Sequence, residues 1–342
     1  MLSSTSNSSK RAKQYLGKWH WSIIWLMIAC TYFGCIAGWE VHWRLRGFTP
    51  SITDDWPVWS QIRRQANQHP DSLALVGASR ILLGFDPEII EKLTDHSAHM
   101  LAIDGSNPLP VLVELSNDPD FIGKVICSIP SLWLAGELKS KDDRSAKWLR
   151  KYKQQSLSSK LETRLALTFQ GHFVFRYGGL APRKLWEKWQ QGRPVTPPYA
   201  PMRADRFRTA DYSLVNLQSL RDARIERTRE LHQGATMLGQ QEFMQRVAII
   251  RKAVKRIRQK GGDVVFIRFP SCGEVWAIEE ETVPRHHYWD VLASEVTALT
   301  IHFTDYKKLQ DFSCTDGSHL DYSDARIFTR EVTTLLQRRN FL

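Results

Sequence analysis

Three side chains in this sequence are of the types that carry out nucleophilic catalysis. Ser79 follows the short apolar run SLALV and the pair Gly77–Ala78, and Asp316 and His319 lie in the stretch DGSHLD near the C-terminus. A histidine in reach can take the proton of a serine hydroxyl, and an acid can orient that histidine. The spacing Asp-x-x-His lets one loop present both partners. The pattern therefore predicts a serine nucleophile with a histidine base.

Each of these signals also has a structural explanation. A serine at the end of a strand commonly caps the helix that follows, and DGS is a common turn sequence. A metal site is a further alternative, but the adjacent His286 and His287 point to different sides of a helix and no third ligand is evident. We therefore expect neither a metal nor an organic cofactor. The catalytic interpretation requires the serine, histidine and aspartate to meet at one edge of the fold.

Apolar runs that alternate with helical patterns supply the elements that must position these side chains. Such alternation is typical of a parallel sheet with helices on both of its faces. We predict an α/β fold, a three-layer α/β/α sandwich with a five-stranded parallel sheet. The five predicted strands are the runs SLALVGAS, HMLAIDGS, GKVICSIP, DVVFIRFP and LTIHFTDY.

The alternation stops between about residues 137 and 237. This stretch is polar and basic, and it contains the run GGLAPRKLWEKWQQGRPVTPPYAPM. Its prolines and glycines favour an ordered loop or cap rather than core elements. We expect one long insertion of helices and loops in an α/β domain of residues 71–342. The insertion is a carbohydrate-facing cap, a docking surface for another membrane protein or a plain lid, and the sequence does not separate these.

Ligands bind parallel sheets at the carboxyl ends of their strands, so the residues after each predicted strand are candidates for a site. Gly105 and Asn107 follow the second strand, Arg268 ends the fourth, and Arg80 is next to Ser79. The planar guanidinium suits a carboxylate or phosphate of a substrate. The alternative for both arginines is a structural ion pair with a loop acid. Both alternatives stay open.

The run VGASRILLGFDP and the run DGSHLD resemble the first and last blocks of the SGNH (GDSL-like) hydrolase superfamily. The resemblance covers residues 72–130 and 238–340 and implies an SGNH or flavodoxin-like sheet. It also implies catalytic roles for Ser79, Asp316 and His319, and it is closest to membrane-anchored bacterial cell-envelope proteins, of DltD-like and alginate-acetylation type, that handle O-acyl groups.

Two features depart from the SGNH pattern. The usual Gly-Asp-Ser is Gly-Ala-Ser here, and the Gly-x-Asn-Asp block expected after the third strand is replaced by CSIPSLWLAGE. The oxyanion of an acyl intermediate would then be bound by Asn107, or by the backbone N–H groups of Ser79 and Gly105 alone. Loss of one such donor typically lowers the rate about 100-fold or more.

The N-terminus has the composition of a membrane anchor. Residues 19–43 form an apolar stretch flanked by tryptophans, close to the ~20 residues that a helix needs to cross a bilayer. We predict a cytoplasmic basic tail at residues 1–18, a single-pass signal anchor at 19–43 and a connector at 44–70, with the α/β domain in the periplasm or outside the cell. The four basic residues before the span that favour this orientation are Lys10, Arg11, Lys13 and Lys18.

Other N-terminal interpretations are a signal peptide cleaved after Ala37 and a lipoprotein box ending at Cys30. The apolar stretch is long for a signal peptide, and it continues past the cysteine. Among the remaining cysteines, Cys272 and Cys314 form a disulfide in an oxidising compartment, or they are buried thiols like Cys127. Buried thiols are the commoner case.

The charge and composition of the chain limit the kinds of molecule that it is expected to bind. The chain has 342 residues and a net charge of +11, which favours anionic surroundings. No nucleic-acid-binding motif is present, so we expect no nucleic-acid partner. We hypothesise a membrane-anchored serine esterase or O-acyltransferase that acts on acyl (acetyl) esters of an envelope glycan or a lipid-linked substrate, with a polytopic acyltransferase as a possible partner. The alternative is an inactive SGNH-fold scaffold for such an acyltransferase or for a polysaccharide-export complex.

Overall fold

The computed structural model describes residues 7–137 and 143–342, with side chains from residue 20 onward. The chain divides into two compact units. The first contains the residues up to Thr49 together with Phe173–Pro197, and the second contains Pro50–His172 and Pro198–Leu342. The second unit carries the sheet and all the predicted catalytic residues.

A five-stranded sheet in the second unit has only parallel pairs. The strands follow the order β2-β1-β3-β4-β5, so the chain goes from β1 to the edge strand β2, crosses back past β1 to the middle strand β3 and then continues to the other edge. The predicted α/β class with a five-stranded parallel sheet is confirmed. The strands are β1 (Ser72–Val76), β2 (Ser97–Met100), β3 (Lys124–Cys127), β4 (Val264–Arg268) and β5 (Leu299–His302).

The second strand lies slightly earlier in the chain than its apolar run suggests. Regular pairing ends at Met100, but Leu101 N donates to Leu75 O at 2.9 Å and Ile103 N donates to Gly77 O at 3.0 Å. These bonds hold the chain extended beside β1 until the turn that begins at Asp104. The turn after β2 therefore lies next to the turn after β1.

Fifteen helices are present among the described residues. The stretch of residues 137–237, predicted to be a long insertion of helices and loops, contains four of them, because amphipathic segments such as the one with Trp148 and Leu149 bury their apolar side chains. The helices are α1 (Asn7–Leu45), α2 (Trp56–Gln65), α3 (Ser79–Gly84), α4 (Pro87–Leu93), α5 (Leu109–Asn117), α6 (Ser131–Ala135), α7 (Arg144–Lys153), α8 (Leu157–His172), α9 (Pro182–Gln190), α10 (Leu217–Gln233), α11 (Gln240–Gln259), α12 (Gly273–Thr282), α13 (Arg285–Glu295), α14 (Lys307–Gln310) and α15 (Tyr322–Arg338).

Alternate residues of the strands belong to different apolar clusters. Ala74 and Val76 of β1 share one cluster with side chains of α5 and α11, whereas Leu73 and Leu75 share another with side chains of α15. Successive side chains of a strand point to opposite faces of a sheet. Both faces of the sheet are therefore buried, which explains why the strands read as continuous apolar runs.

Helix α1 is long and apolar enough, by length and composition, to cross a membrane. Its candidate span is His20–Leu45, with a mean hydropathy of 1.6 and none of its most apolar window buried by protein. Large apolar side chains are exposed all round this part of the helix, which water would disfavour and lipid would accept. Examples are Trp21, Trp25, Leu26, Ile28, Tyr32 and Phe33.

The C-terminal end of α1 is joined to residues 173–197 within the first unit. The Glu40 carboxylate accepts hydrogen bonds from Val174 N at 3.0 Å and from Phe175 N at 2.8 Å. Trp43, Phe48 and Val174 are buried in a small apolar cluster of this unit. Residues 173–197 are thus folded onto the end of the helix rather than left as a free loop.

Candidate functional site

Ser79 lies on a tight turn from β1 into α3. Gly77 is required in this turn, since a Cβ atom there would lie 2.4 Å from Cγ1 of Ile81 and 3.4 Å from the carbonyl oxygen of Ser128. Ala78 is extended and places Ser79 at the first position of α3. The serine side chain is half-buried. The turn therefore presents the hydroxyl at the carboxyl end of a central strand.

Ser79, His319 and Asp316 form a continuous chain of hydrogen bonds. Nε2 of His319 lies 2.8 Å from Oγ of Ser79, and Nδ1 of His319 lies 2.9 Å from Oδ2 of Asp316. Asp316 is fully buried and His319 is nearly so. When Nδ1–H of neutral His319 donates a hydrogen bond to the Asp316 carboxylate, Nε2 carries no proton and can accept the proton of the serine hydroxyl.

The loop that carries Asp316 and His319 is ordered around the Asp316 carboxylate. Its Oδ1 accepts hydrogen bonds from Ser318 N at 2.9 Å and from His319 N at 2.8 Å. Gly317 has a φ of +86°, a conformation that L side chains rarely adopt. The DGSHLD sequence therefore forms a turn and also orients His319. The interpretation as a surface turn and the interpretation as an acid–base pair are compatible.

Helix α10 supplies a charge that the sequence analysis missed. Nε and Nη2 of Arg224 lie 3.3 Å and 3.2 Å from Oδ2 of Asp316. One turn earlier, Arg221 Nε donates to the carbonyl oxygen of Thr315 at 2.7 Å. The only sequence signal was two arginines three residues apart on one helical face, which does not identify a partner about 90 residues away.

Electrostatics favour a charged Asp316 and a neutral His319. Burial opposes the charge on Asp316, but His319, Arg224 and backbone N–H groups outweigh it and hold the pKa of the carboxyl well below its ordinary value. Burial, helped by the positive charges of Arg224 and Arg80, lowers the pKa of His319 despite the attraction of Asp316. A neutral imidazole is the form that can act as a general base.

Gly105 lies in the turn after β2, which the hydrogen bond from Ile103 to Gly77 holds beside the Ser79 turn. It is exposed, has a φ of +59°, and has open space where a Cβ would be. The structure thus brings the Gly105 turn to the same sheet edge as Ser79. Its oxyanion role stays a prediction.

Asn107 is buried two residues further on. Its Oδ1 accepts a hydrogen bond from Leu109 N at 3.0 Å, and its own N–H donates to Oδ1 of Asp143 at 3.3 Å. These contacts tie the side chain to the start of α5. A role for Asn107 in binding an oxyanion also stays a prediction.

Arg80 and Arg268 meet at one buried carboxylate, that of Glu279 on α12. Nη2 of Arg80 lies 2.6 Å from Oε1, and Nη2 of Arg268 lies 2.5 Å from Oε2. Arg80 Nε also donates to Oγ of Ser318 at 3.2 Å. This is the geometry of a structural ion pair. The Nη1 atom of Arg80 is buried without a protein partner, so substrate binding by Arg80 stays a prediction.

Glu279 is charged in this network. Burial raises its pKa, but the two guanidiniums outweigh burial and hold the pKa far below the ordinary value of a glutamate. The network links Arg80, the residue after Ser79, to Ser318, the residue before His319. Of the two alternatives for Arg80 and Arg268, the ion pair is present, but its acid lies on a helix rather than in a loop. Glu279 was not predicted, because its helix showed no pattern that set it apart.

Asp104 is a second acid near His319, and no role for it was predicted from the sequence. Its Oδ2 lies 2.8 Å from Nη1 of Arg208. Burial opposes the charge on Asp104, but Arg208 and His319 outweigh it and lower the pKa of the carboxyl. A negative charge on this turn attracts the imidazolium that forms when His319 takes a proton.

Cys272 and Cys314 are neighbours beside the start of the loop that carries Asp316 and His319. Cys314 N donates to Sγ of Cys272 at 3.1 Å, and Cys272 N donates to the carbonyl oxygen of Gly317 at 2.9 Å. The hydrogen bond with Cys314 lowers the pKa of Cys272 to about 6. Both are thiols here, and Cys127 is a fully buried thiol in β3.

Within residues 7–137 and 143–342, no group of three or more His, Cys, Asp or Glu side chains is placed to hold a metal ion. No protein-family model matches this chain, and no curated protein matches it at a significant level. The resemblance to the SGNH superfamily therefore stays a prediction that rests on the motifs in the sequence.

Proposed function

We propose that this chain is a membrane-anchored, extracytoplasmic serine esterase or O-acyltransferase of the SGNH type. The observation that carries the proposal is the continuous chain of hydrogen bonds from Ser79 through His319 to Asp316. The same three residue types in the same order of contact serve acyl transfer on several unrelated folds. The residues lie 240 positions apart in the chain, so their meeting is a property of the fold.

The proposed reaction has two halves. Ser79 Oγ attacks an acyl carbonyl while His319 Nε2 takes its proton, and the collapse of the intermediate leaves an acyl-serine as His319 protonates the departing alcohol. Water or a sugar hydroxyl then attacks the acyl-serine, with His319 again as the base, and the ester bond to Ser79 breaks as His319 returns the proton to Oγ of Ser79. Asp316 holds the imidazole in its tautomer. The amides of Ser79 and Gly105, with Asn107, receive the oxyanion.

The proposal includes a three-layer α/β/α sandwich in which residues of about 137–237 are an insertion. The two separate apolar clusters on alternate strand residues support the layers. The contact of Arg224 on α10 with Asp316 supports a role for the insertion at the site. In this view the insertion orients the catalytic acid as well as covering it.

The proposed substrates are acyl or acetyl esters of an envelope glycan or of a lipid-linked glycan, and the proposed location is the cytoplasmic membrane with the N-terminus inside. Support comes from the candidate span His20–Leu45 and from the net charge of +11. A basic surface favours anionic polymers and headgroups. A polytopic membrane acyltransferase is the proposed partner when the acceptor is a sugar.

A fluorophosphonate probe tests the nucleophile on the full chain in detergent. We expect rapid labelling of the wild type and none of Ser79→Ala. His319→Ala should lose at least 100-fold in labelling rate, because the serine loses its base. The matched control is Ser128→Ala, which removes a serine after a neighbouring strand and should label like the wild type.

The second candidate is a scaffold without catalytic activity. It is favoured by one observation: Ser128, Ile129 and Pro130 follow β3 where an SGNH hydrolase has its Gly-x-Asn-Asp block. In that case the wild type would not label although it is folded, and Ser79→Ala would support acylation of the envelope in cells as well as the wild type does. Labelling of Ser79 would exclude the scaffold function as the only one.

A further inference from the structure

The segment Phe173–Pro197, called the collar here, is fastened to the polar end of α1. Its first residues donate two backbone hydrogen bonds to Glu40, and Leu180 and Leu185 pack with Trp43 and Phe48. Most of the large exposed apolar side chains of α1 precede Glu40, and Val41 and Leu45 follow it. The collar therefore lies against the C-terminal end of the candidate span His20–Leu45.

Helix α9 of the collar turns two large aromatic side chains outward. Leu185 packs into the cluster around Trp43, whereas the next residue, Trp186, is 57% exposed and Trp189 is 70% exposed. The two indole rings lie together, with centroids 4.8 Å apart. Exposed tryptophan is costly in water but favourable at a membrane interface, where one end of the ring is apolar and the other is wet.

The collar is also basic. It contains five basic side chains and one acid, Glu187. Arg183 and Lys184 both contact Glu187, at 2.9 Å and 3.0 Å, which leaves an excess of positive charge on the segment. The basic side chains are Arg176, Arg183, Lys184, Lys188 and Arg193.

We propose that the collar binds the headgroup layer of the bilayer that α1 crosses, with Trp186 and Trp189 at the acyl boundary and the basic side chains on anionic headgroups. The inference rests on the proposed membrane passage of α1 but not on the proposed catalysis. A short helix with tryptophans and with Lys and Arg is typical of interfacial helices. The collar is attached to the end of the candidate span, so the passage of α1 through a bilayer would by itself hold the collar at the membrane surface. This favours lipid over a protein partner.

Quenching by brominated lipid tests the position of the two tryptophans. The full chain is placed in phosphatidylcholine nanodiscs with and without bromine on the acyl chains, which quenches only indoles in contact with those chains. We expect the double variant W186F/W189F to lose part of the bromine-quenched emission. The matched control W148F removes a buried tryptophan of the second unit and should leave the bromine-quenched emission unchanged. The single variant W189F, which replaces only the more exposed of the two tryptophans, should also lose bromine-quenched emission, but less than the double variant.

The proposal is overturned if wild type and W186F/W189F have equal bromine-quenched emission. It is also overturned if the pair is shielded only in native membranes and not in lipid nanodiscs, since a protein partner would then cover it. Neither result depends on Ser79, so probe labelling of the same samples reports separately on the proposed catalysis.

Anionic lipid tests the charge. Replacing a third of the phosphatidylcholine by phosphatidylglycerol should increase the emission quenched through Trp186 and Trp189, because basic side chains are drawn to a negative surface. The variant R183Q/K184Q/K188Q should lose most of this increase. An equal response of wild type and variant to phosphatidylglycerol would overturn the assignment of anionic headgroups.

Discussion

At the scale of single residues, the candidate site depends on how one fully buried carboxylate stays charged. Asp316 is charged because His319, Arg224 and two backbone N–H groups together outweigh the cost of its burial. Arg224 is the member of this set that comes from another part of the chain. It acts on the base through space as well, since its charge disfavours the imidazolium of His319.

Arg224→Gln should move the pH dependence of Ser79 labelling. The reactive form has a neutral His319, so the rate rises with pH as His319 loses its proton, and this rise lies below the ordinary histidine pKa of 6.5. Removing the positive charge of Arg224 favours the imidazolium and raises the pKa of His319. We therefore expect the acid limb of the fluorophosphonate labelling rate to shift to higher pH.

The matched control for this shift is Arg229→Gln, which removes a charge of the same helix that pairs with Glu226 and Glu274. Its acid limb should coincide with that of the wild type. Coinciding limbs for Arg224→Gln and the wild type would contradict an electrostatic role of Arg224.

Glu279→Gln should destabilise the fold. The change leaves two buried guanidiniums, those of Arg80 and Arg268, without their counter-charge. Breaking a buried ion pair from one side typically costs about 3–5 kcal/mol. We expect a loss of that size in the free energy of urea unfolding, measured by far-UV circular dichroism in detergent.

Glu226→Gln is the control for this loss, because Glu226 is an exposed partner of Arg229 and surface changes usually stay within about 0.5 kcal/mol. A loss for Glu279→Gln no larger than for Glu226→Gln would mean that the buried arginines are compensated by other groups.

At the scale of elements, the turn from β1 into α3 decides where the nucleophile lies. Gly77→Ala places a Cβ atom 2.4 Å from Cγ1 of Ile81, so α3 must move or Ile81 must change its rotamer. Overpacking of this kind typically costs about 1–3 kcal/mol. We expect a lower free energy of unfolding and slower labelling of Ser79, measured on the same samples.

The double variant Gly77→Ala, Ile81→Ala removes the clash. Its loss of stability should be smaller than the sum of the two single losses, since neighbours in contact couple by about 0.5–3 kcal/mol. Additive losses would show that the clash is relieved elsewhere. Gly178→Ala is the control, because a Cβ at that glycine meets nothing within 4 Å.

The elements differ in how far the sequence determines them. The five strands were predictable because most of their residues are buried, so each strand lies in a largely apolar run between turns. The turn that holds Asp316 and His319 was predictable because the hydrogen bonds that shape it, from the backbone of residues 318 and 319 and from the His319 ring to the Asp316 carboxylate, are local. The insertion was predictable only as a mixture of helices and loops, since the prolines and glycines of residues 178–202 suggested loop, while the apolar faces of its helices are completed only by contacts with distant segments.

The same reasoning applies to the side chains of the site. Ser79, Asp316 and His319 were predicted from their residue types and order, from their places after predicted strands and from the SGNH-like motifs around them. Arg224 and Glu279 were missed because each acts on a residue far away in sequence. A single charged residue on a helix carries no signal of its partner.

At the scale of the whole molecule, the orientation of α1 decides the compartment of the second unit. Alkaline phosphatase fused after Leu342 becomes active only where disulfides form. We expect high phosphatase activity in a bacterial host, because the basic residues before the candidate span favour a cytoplasmic N-terminus. The same fusion without residues 19–45 is the control and should be inactive. An inactive full-length fusion, with a fluorescent C-terminal green fluorescent protein in its place, would contradict the orientation.

The neighbouring sulfurs of Cys272 and Cys314 have a consequence for how samples are prepared. Oxidation after export would join the loop that precedes Asp316 to the entry of α12 by a disulfide, whereas synthesis under glutathione keeps both sulfurs reduced. Protein recovered from the cytosol and protein recovered from the envelope would then differ by two hydrogen atoms at the root of the loop that carries His319. Comparing activities between two such preparations is meaningful only after their thiols have been counted.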